Sequence, residues 1–434
     1  MSRFLFTVWP LAGHIHPNLA IAAELRKLGH TPAFFTGSKA RAAVENAGFQ
    51  LFPFDKLDEG ILDRLVLGAE GILSSTGRPF RLRNQWRDWV LGTVPQQIED
   101  LNTILDAWQP DAIVCDPTMW APFLVLHEKR RVPVAVFSLV PACHLSGAGG
   151  PVLGFALPKP RNRLERARTE LLRKLSYLFL TPVRRQANGM RERHGLPALR
   201  CSVTDHAGRM PLYLVPGSPE FDYHRRGLPE SVHYVGCCSW TPAASEGLPG
   251  WIDNLPPEQP LVYASEGTIQ LDPRLLRTVA QGLANLPIQV ILTTGRHRTP
   301  ASMDLGPRPL APNIHAVQWV PLTPLLPRLS AVVTIGGPST LMPCLERGVP
   351  VVIVPFNWDH PETAWRISES GCGIRLTPRE CVPSRMREAV MRVLSEPGYR
   401  AGARRIAESL ERCGGAPRAA QLLAAMAREG AAFA

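Results

Sequence analysis

The segment Thr334–Gly348, TIGGPSTLMPCLERG, carries the pattern that decides the fold. The apolar run SAVVTI ends at Ile335 and is followed by two glycines, small hydroxyl residues and a run with helical periodicity. A strand, a glycine turn and a helix in this order can hold an anion on the backbone N–H groups of the turn and of the helix N-terminus. Two residues depart from that layout: Ile335 opens the turn without a polar side chain, and Pro343 lies inside the predicted helix.

Short apolar strands alternate with helices on both sides of this segment. Near the start, RFLFTVW predicts a strand and NLAIAAELRKLG a helix, with PLAGHIHP as the loop between them. In the second half, PLVYASEGT and IQVILTTG predict strands separated by a helix. Such alternation predicts an α/β fold with parallel, doubly wound sheets.

The length of 434 residues suits two domains. A stretch rich in Pro, Gly and Ser predicts the junction, so we place a first domain at 1–235, a linker at 236–258 and a second domain with C-terminal helices at 259–434. Residues 157–197 are basic, helical and amphipathic. They could lie on a membrane surface or form a helical insertion that covers a pocket, and we favour the insertion.

Composition excludes several classes of protein. Net charge is +11 and the pI about 9.5, which favours anionic partners, but no nucleic-acid-binding module accompanies the charge. The nine cysteines have no metal-like spacing and predict reduced thiols in a cytoplasm, with no metal site. No signal peptide or membrane span is predicted. The first turn lacks the G-x-G-x-x-G fingerprint, which disfavours a nicotinamide oxidoreductase.

Two residues of the first half are candidates for acid–base chemistry. His14 follows the first predicted strand and Asp116 ends the buried strand DAIVCD, so both lie at the carboxyl edge of one sheet. An imidazole there can accept a proton from a hydroxyl, and a carboxylate can fix its tautomer and stabilise the imidazolium. The structural alternatives are a turn histidine and an Asx turn before Pro117, and His16 fits such a structural role better.

The second half contains four candidate ligand-binding groups. A glycine turn follows the strand at 261–265, a tryptophan ends another strand, a second glycine turn opens the segment Thr334–Gly348, and an acid–histidine pair ends a further strand. These candidates are Ser265, Gly267 and Thr268; Trp319; Gly336, Gly337, Ser339 and Thr340; and Asp359 and His360.

Over nearly its full length the chain resembles the family 1, nucleotide-sugar-dependent glycosyltransferases with the GT-B fold, especially the bacterial macrolide and zeaxanthin types. GHIHPNLAIAAELRKLGH, from residue 13, is similar to the amino-terminal motif of that family. The run from Val317 to His360 is similar to its donor-binding signature. The resemblance implies two Rossmann-like domains facing a cleft, an acceptor-binding one first and a donor-binding one second.

The resemblance also implies roles for the candidate residues. His14 corresponds to the general base and Asp116 to its orienting partner, while Trp319 stacks on the donor base. The glycine turns hold the diphosphate, and Asp359 and His360 contact the sugar. The implied activity is inverting, metal-independent hexosyl transfer from a UDP-sugar or dTDP-sugar to a hydroxyl of an apolar small molecule, such as a carotenoid, terpenoid or phenolic. No further cofactor is implied, and the implied partners are the donor and the acceptor. The basic segment 157–197, if it lies on a membrane surface, would add a peripheral membrane contact.

Four positions differ from the family pattern. Ile335 replaces a histidine that contacts the diphosphate, Pro343 replaces a glutamate that binds ribose hydroxyls, and Glu266 stands where a small or apolar residue is common. Ser339 also replaces a frequent asparagine. Losing a charge-assisted phosphate contact costs about 1.5–3 kcal/mol, and a Glu266 side chain facing the phosphates would repel them.

Three explanations of these differences stay open. The donor is a deoxythymidine-diphosphate sugar with fewer ribose hydroxyls to bind, or a cation such as Arg296 compensates, or the donor site is inactive. The last would make the chain a non-catalytic GT-B homologue serving as a ligand-binding or partner-enzyme scaffold. For the acceptor, Trp86, Trp89, Trp120 and Phe137 are candidate aromatic contacts in the first half.

Overall fold

The chain forms two compact units in a computed structural model that describes residues 1–67, 72, 78–138, 150, 152, 155–223, 225, 227–241, 247–267, 273–295 and 298–431. The first unit comprises Met1–Ser218, Asp222–Trp240 and Cys413–Ala434. The second comprises Pro219–Phe221 and Thr241–Arg412. The chain passes from the first unit to the second between Trp240 and Thr241. This point lies inside the segment 236–258 that the sequence predicts to be a linker.

The first unit is built on a sheet of seven parallel strands in the order β3-β2-β1-β4-β5-β6-β7. The strands are β1 Arg3–Thr7, β2 Thr31–Thr36, β3 Gln50–Pro53, β4 Ala112–Cys115, β5 Val134–Phe137, β6 Leu212–Pro216 and β7 Val232–Gly236. The helices are α1 Ala12–Lys27, α2 Arg41–Asn46, α3 Pro79–Val90, α4 Val94–Trp108, α5 His127–Arg130, α6 Arg163–Phe179, α7 Thr181–Arg193 and α8 Val203–Ala207.

Alternating residues of the central strands supply two separate cores. Leu5 packs into the core on one face of the sheet, while Phe4 and Phe6 pack into the core on the other face. Successive side chains of a strand point to opposite faces, and a parallel sheet is normally covered by helices on both. The uninterrupted apolar character of β1 is therefore the sequence signature of a sheet buried on both sides, as the alternation of strands and helices predicts.

The second unit contains six parallel strands in the order β10-β9-β8-β11-β12-β13. The strands are β8 Leu261–Ser265, β9 Gln289–Thr293, β10 Ile314–Val317, β11 Leu329–Thr334, β12 Val351–Ile353 and β13 Gly373–Arg375. The helices are α9 Arg274–Gly282, α10 Leu322–Leu325, α11 Pro338–Glu346, α12 His360–Glu369, α13 Pro383–Ser395 and α14 Pro397–Arg412.

The last helix departs from the expected domain plan. We expected the C-terminal helices to belong to the second domain, but α15, Gly415–Ala431, belongs to the first unit and packs on α1. Its apolar residues recur at helical spacing and enter the same core as Phe4 and Phe6; they are Ala416, Ala419, Ala420, Leu423, Met426 and Ala427. The periodicity shows that α15 has one buried face, but nothing in the sequence shows which sheet that face covers.

The basic segment 157–197 contains the two helices α6 and α7 and lies in the first unit. No helix within the described residues is both long and apolar enough to cross a membrane.

Because Leu423 is fully buried against the first unit, Leu423→Ala should destabilise that unit by about 2–5 kcal/mol. Hydrogen exchange followed by mass spectrometry should show faster exchange in α1, with little change in β8 and β11. Leu422→Ala is the matched control, because its side chain is only partly buried. Faster exchange confined to α13 and α14 would mean that the C-terminal helix stabilises the second unit instead.

Candidate active site

His14 and Asp116 meet at the carboxyl edge of the first sheet. Strands β1 and β4 are neighbours, with Thr7 opposite Cys115, so the residues that follow them emerge side by side. His14 lies in the first turn of α1, and Asp116 comes directly after β4. His14 Nδ1 lies 2.5 Å from Asp116 Oδ2. The structure thus joins two residues that are 102 positions apart in the chain.

Asp116 is held as a buried carboxylate. Its Oδ1 accepts a hydrogen bond from the Thr118 backbone N–H at 2.8 Å and another from the Thr118 hydroxyl at 2.6 Å. Burial by itself would raise the pKa of Asp116, but the charge of the His14 imidazolium and the hydrogen bonds from His14 and Thr118 outweigh it and lower the pKa. The carboxylate is therefore ionised at neutral pH.

The hydrogen bond to Asp116 sets the tautomer of His14. An ionised carboxylate only accepts, so Nδ1 carries the hydrogen and Nε2 of the neutral ring has the free lone pair. The side chain is 22% exposed, and no described residue hydrogen-bonds Nε2. The remaining nitrogen is thus an acceptor that a ligand hydroxyl can reach.

The start of α1 differs from the prediction. The sequence predicts a loop over PLAGHIHP with Pro17 close to the helix start, whereas α1 already begins at Ala12 and contains Pro17 as its sixth residue. Asn18 Nδ2 donates to the His14 carbonyl at 2.8 Å. His14 is therefore held by a helical turn, which is a more rigid support than the expected loop.

Three strands of the second sheet end in hydroxyl residues that lie side by side. The pairing of the strands sets Ser265 opposite Thr293 and opposite Thr334. The Ser265 and Thr334 hydroxyls each accept the backbone N–H of the glycine two residues later, both at 3.2 Å. Ser265 is buried. Its hydroxyl shapes the turn, in addition to any contact with a ligand.

A glycine with positive φ follows each of these strand ends. Gly267, Gly295 and Gly336 have φ of +72°, +91° and +109°. L side chains rarely adopt this conformation, and at Gly336 a Cβ would also stand 2.8 Å from Ile353 Cδ1. The sheet edge is therefore lined by backbone, as a site for a close-lying anion requires.

The N-terminus of α11 lies at the same edge. Gly337 is its N-cap, Ser339 is exposed and Thr340 is half-buried in its first turn. Backbone N–H groups at a helix N-terminus favour anions. Ile335, by contrast, is buried in the core of the second unit, so its side chain faces away from this edge. The helix continues through Pro343 to Glu346.

The side chain of Glu266 does not point toward the sheet edge where a phosphate could lie. Its side chain is fully buried, and Oε1 accepts the Leu276 backbone N–H at 3.1 Å in the first turn of α9. Its Oε2 lies 3.8 Å from Arg298 Nη1. Glu266 thus caps a helix and is balanced by a cation, which corrects the expectation of repulsion.

Arg298 is the cation close to Glu266, whereas the sequence points to Arg296 as the compensating cation. Its Nε donates to the Thr294 carbonyl at 2.9 Å, and its side chain is partly exposed. The signal was its place just after β9, three residues beyond Gly295. Thr268 and Arg296 lie outside the described residues.

His360 and Asp359 stand beside the glycine turn of β11. A Cβ on Gly336 would be 3.5 Å from His360 Cβ. The structure therefore brings Gly336 and His360, both predicted site residues, close together. His360 is buried, and burial lowers its pKa although the charge of Asp359 acts in the opposite direction. Thr363 Oγ1 donates to Asp359 Oδ2 at 3.4 Å. At neutral pH His360 is therefore a neutral hydrogen-bonding group.

Trp319 lies at the far side of the same sheet. It is two residues beyond β10, whose strand is three positions from β11 in the sheet, and its side chain is partly exposed. Three strand spacings amount to about 14 Å. Trp319 is thus separated from the α11 turn, and only an extended ligand lying across the strand ends could touch both.

The aromatic residues proposed for the acceptor divide into two groups. Trp89 and Phe137 are core residues. Trp120 is also buried in the core, but together with Trp86 it lines a small, open pocket of the first unit. The same pocket is lined by Tyr177 of α6, Val183 of α7 and Leu180 between the two helices. Within the described residues no cluster of His, Cys, Asp or Glu could hold a metal ion.

Comparison with known proteins identifies the class to which this arrangement belongs. The chain is 31% identical over 411 residues to 4'-demethylrebeccamycin synthase from Lentzea aerocolonigenes, covering 93% of this chain and 94% of that protein. It belongs to the family 1 glycosyltransferases of the GT-B fold. Residues 278–420 also match the family described as erythromycin biosynthesis protein CIII-like, C-terminal domain.

Two other curated relatives support the assignment. This glycosyltransferase is 28% identical to demethyllactenocin mycarosyltransferase from Streptomyces fradiae, over 98% of this chain and 86% of that protein. It is 25% identical to zeaxanthin glucosyltransferase from Pseudescherichia vulneris, over 98% and 97%. The resemblance seen in the sequence motifs is confirmed, and the chain transfers a sugar to a small-molecule acceptor.

Solved structures confirm the GT-B fold. A calicheamicin glycosyltransferase superimposes with a TM-score of 0.74 at 22% identity, covering 98% of both chains. The glycosyltransferase VinC in complex with dTDP superimposes with a TM-score of 0.72 at 20% identity, covering 98% of this chain and all of that one. The two parallel sheets with their helices are therefore the two Rossmann-like domains that the sequence predicts.

The buried His360 should make stability depend on pH. Its pKa is lower in the folded than in the unfolded chain, so below about pH 6.5 the unfolded state binds more protons and stability falls. The melting temperature of the wild type should therefore drop more steeply than that of His360→Gln between about pH 7.5 and 5.5. His194→Gln, at a half-buried position, is the control. Parallel curves for the wild type and His360→Gln would contradict the assignment.

Proposed function

We propose that the chain is an inverting glycosyltransferase that moves a sugar from a nucleotide diphosphate sugar to a hydroxyl of an apolar small molecule. The first unit binds the acceptor and the second binds the donor. The observation that carries the proposal is the hydrogen bond between His14 and the buried Asp116 carboxylate. Such a pair leaves one imidazole nitrogen as an acceptor for the proton of a hydroxyl.

His14 acts as the general base. The acceptor hydroxyl donates to Nε2, and its O–H bond breaks as the proton moves to the imidazole. Asp116 acts on the acceptor only through His14, so it is a positioning residue: it holds the tautomer and stabilises the imidazolium that forms. Two hydrogen bonds from Thr118 keep the carboxylate ionised and oriented.

The transfer itself is a single displacement. The deprotonating oxygen forms a bond to the anomeric carbon on the face opposite the diphosphate. The bond from that carbon to the diphosphate oxygen breaks, and its electron pair leaves with the nucleoside diphosphate. Attack from the opposite face inverts the anomeric centre. The negative charge on the leaving diphosphate needs donors placed in advance around it, since preorganised donors stabilise developing charge most effectively.

We assign the diphosphate to the edge formed by the two glycine turns and the N-terminus of α11. Gly267, Gly336 and Gly337 allow close approach of backbone N–H groups, and Ser339 and Thr340 add hydroxyls. Ser265 precedes the first glycine turn, and the sequence resemblance assigns Thr268 to the same group. Trp319 stacks on the nucleobase at the other end of the sheet edge, and Asp359 and His360 bind the sugar hydroxyls.

A dTDP-sugar is the donor that fits this edge best. Pro343 has no side-chain hydrogen-bonding group at the position where the resemblance implies a ribose-binding glutamate, and a deoxyribose has one hydroxyl fewer to bind. VinC and the spinosyn rhamnosyltransferase SpnG were solved with thymidine diphosphate. Arg298 lies 3.8 Å from Glu266 and balances its charge, which keeps this edge from being negative.

The acceptor is apolar and binds near the pocket of Trp86 and Trp120. The exposed lining of this pocket is mainly apolar, with two tryptophans, and it also includes Arg184, Ser202 and Thr204. An apolar lining with a few polar groups suits an aromatic or terpenoid ligand. The eight described cysteines are free thiols, which supports a reducing, cytoplasmic location.

Replacing the base should abolish transfer without unfolding the protein. His14→Ala removes the proton acceptor, and Asp116→Asn offers an amide that selects the wrong tautomer, so each should lower kcat by about 10²–10⁴-fold. The measurement is nucleoside diphosphate release with a dTDP-sugar and a phenolic acceptor. His16→Ala, two residues from His14, is the matched control and should keep wild-type activity. An unchanged kcat in His14→Ala would overturn the base assignment.

The donor assignment can be tested without an acceptor. Thermal unfolding with dTDP, UDP and GDP should show stabilisation by dTDP, since a ligand at about 100 times its Kd adds about 2.7 kcal/mol. Arg298→Gln leaves Glu266 unbalanced and should weaken dTDP binding by at least about tenfold.

Arg308→Gln is the matched control for this change, because it removes an exposed arginine ten residues further along the chain. Stabilisation by UDP alone would change the donor. No stabilisation by any nucleotide would instead favour a non-catalytic scaffold.

A further inference from the structure

The outer surface of α6 has an unusual composition for a helix of a folded unit. Among the described residues twelve large hydrophobic side chains are exposed, and five of them lie on α6. Leu164, Leu171, Leu175 and Leu178 are 80%, 58%, 49% and 65% exposed. Only Thr169 of this helix is buried. The helix therefore presents more apolar surface to solvent than to its own unit.

These four leucines form one stripe. At 100° per residue their Cα positions fall within an arc of about 60°, while Thr169 lies about 150° from the centre of that arc. The stripe thus points away from the protein. Phe80 of α3 is also exposed and stacks edge-on against Phe179 at the end of α6, with ring centroids 5.4 Å apart. We call the surface made by Phe80 and the four leucines the leucine face.

Cations flank the leucine face. Arg163 and Lys174 are exposed on one side of the stripe and Arg168 on the other. Residues 157–197 contain eleven Lys and Arg and three Glu, hence a net charge of +8, whereas the whole chain carries +11. The excess charge is therefore concentrated on the segment that carries the exposed leucines.

We propose that the leucine face binds the surface of an anionic lipid bilayer. An apolar stripe bordered by Lys and Arg is the arrangement of helices that lie in the interface of a membrane, with leucines among the acyl chains and cations at the headgroups. A second copy of this chain would bring two surfaces of the same strong positive charge together, so charge complementarity favours an anionic surface instead. The proposal is independent of the reaction assigned above.

Vesicle sedimentation tests this assignment. The wild type should bind vesicles of phosphatidylcholine with phosphatidylglycerol at low salt, and bind vesicles of phosphatidylcholine alone much more weakly. Binding should be largely lost at about 1 M salt, where the Debye length is about 3 Å. Equal binding to both kinds of vesicle, or no binding to either, would overturn the proposal.

Two sets of variants separate the apolar and the charged contributions. The triple variant Leu171→Ser, Leu175→Ser, Leu178→Ser should bind at least about tenfold more weakly, whereas Leu28→Ser, at a leucine 50% exposed in the same unit, should bind normally. The variant Arg163→Gln, Arg168→Gln, Lys174→Gln should lose about a hundredfold, since each cation near an anionic surface contributes about fivefold.

The matched charge control is Arg308→Gln, Arg379→Gln, Arg404→Gln, which makes the same change in net charge at exposed positions of the second unit. Its vesicle binding should stay close to that of the wild type. Circular dichroism should show the same melting curve for the leucine variant and the wild type.

Light scattering of the wild type and of the leucine variant, both without lipid, tests whether a second copy of the chain covers the leucine face. A wild-type dimer that the leucine variant converts to a monomer would identify the leucine face as a contact between copies and overturn the proposal. Vesicle binding that is equal in the wild type and the leucine variant would overturn it as well.

Discussion

The hydrogen bond between His14 and Asp116 depends on the pairing of strands β1 and β4. Neither residue could act in proton transfer without the other. An isolated imidazole has no fixed tautomer, and a buried carboxylate without partners would take up a proton. The register of β1 and β4 brings them within 2.5 Å, and the apolar cores on both faces hold that register. Thr118 supplies the two further hydrogen bonds that keep Asp116 ionised despite its burial. The chemistry of the site is thus a property of the sheet edge.

The second unit uses its sheet edge differently. Its strand ends present hydroxyls and positive-φ glycines, so backbone groups line the surface. The Glu266 carboxylate beside them is buried and caps α9. This solves the problem that Glu266 poses in the sequence. A carboxylate next to a phosphate site is unfavourable when it faces the ligand, but a buried one that accepts a helix N-terminal N–H and lies near Arg298 stabilises the turn on which the site depends.

The sequence predicts the parts of this structure that follow from local pattern. Continuous apolar strands followed by helices predict parallel sheets, and in a parallel sheet the residues that follow two strands, here His14 and Asp116, emerge at the same edge. The parts that it does not predict depend on contacts between distant segments. Alanine-rich α15 could cover either sheet, and its place on α1 is decided by packing. The orientation of Glu266 depends on α9. The helix α1 begins at Ala12, although Gly13 and the His-Pro pair predict a loop there. Ile335 lacks a polar side chain because it packs into the core of the second unit.

Lining a phosphate site with backbone has a consequence for selectivity. Backbone N–H groups bind a diphosphate without regard to the nucleoside attached to it, so discrimination between nucleotides must come from side chains. In the donor site that we propose, those side chains are few: Trp319 would offer a flat apolar surface that any base can use, and the side chain of Pro343 can accept no hydrogen bond from a ribose hydroxyl. A site of this kind loses affinity for a ribose that brings an extra hydroxyl to an apolar contact, because the hydroxyl gives up water without a partner. If the proposed dTDP-sugar is the donor, its selection over a ribonucleotide follows from the absence of a partner for that hydroxyl, while the affinity comes from the glycine turns and the helix N-terminus.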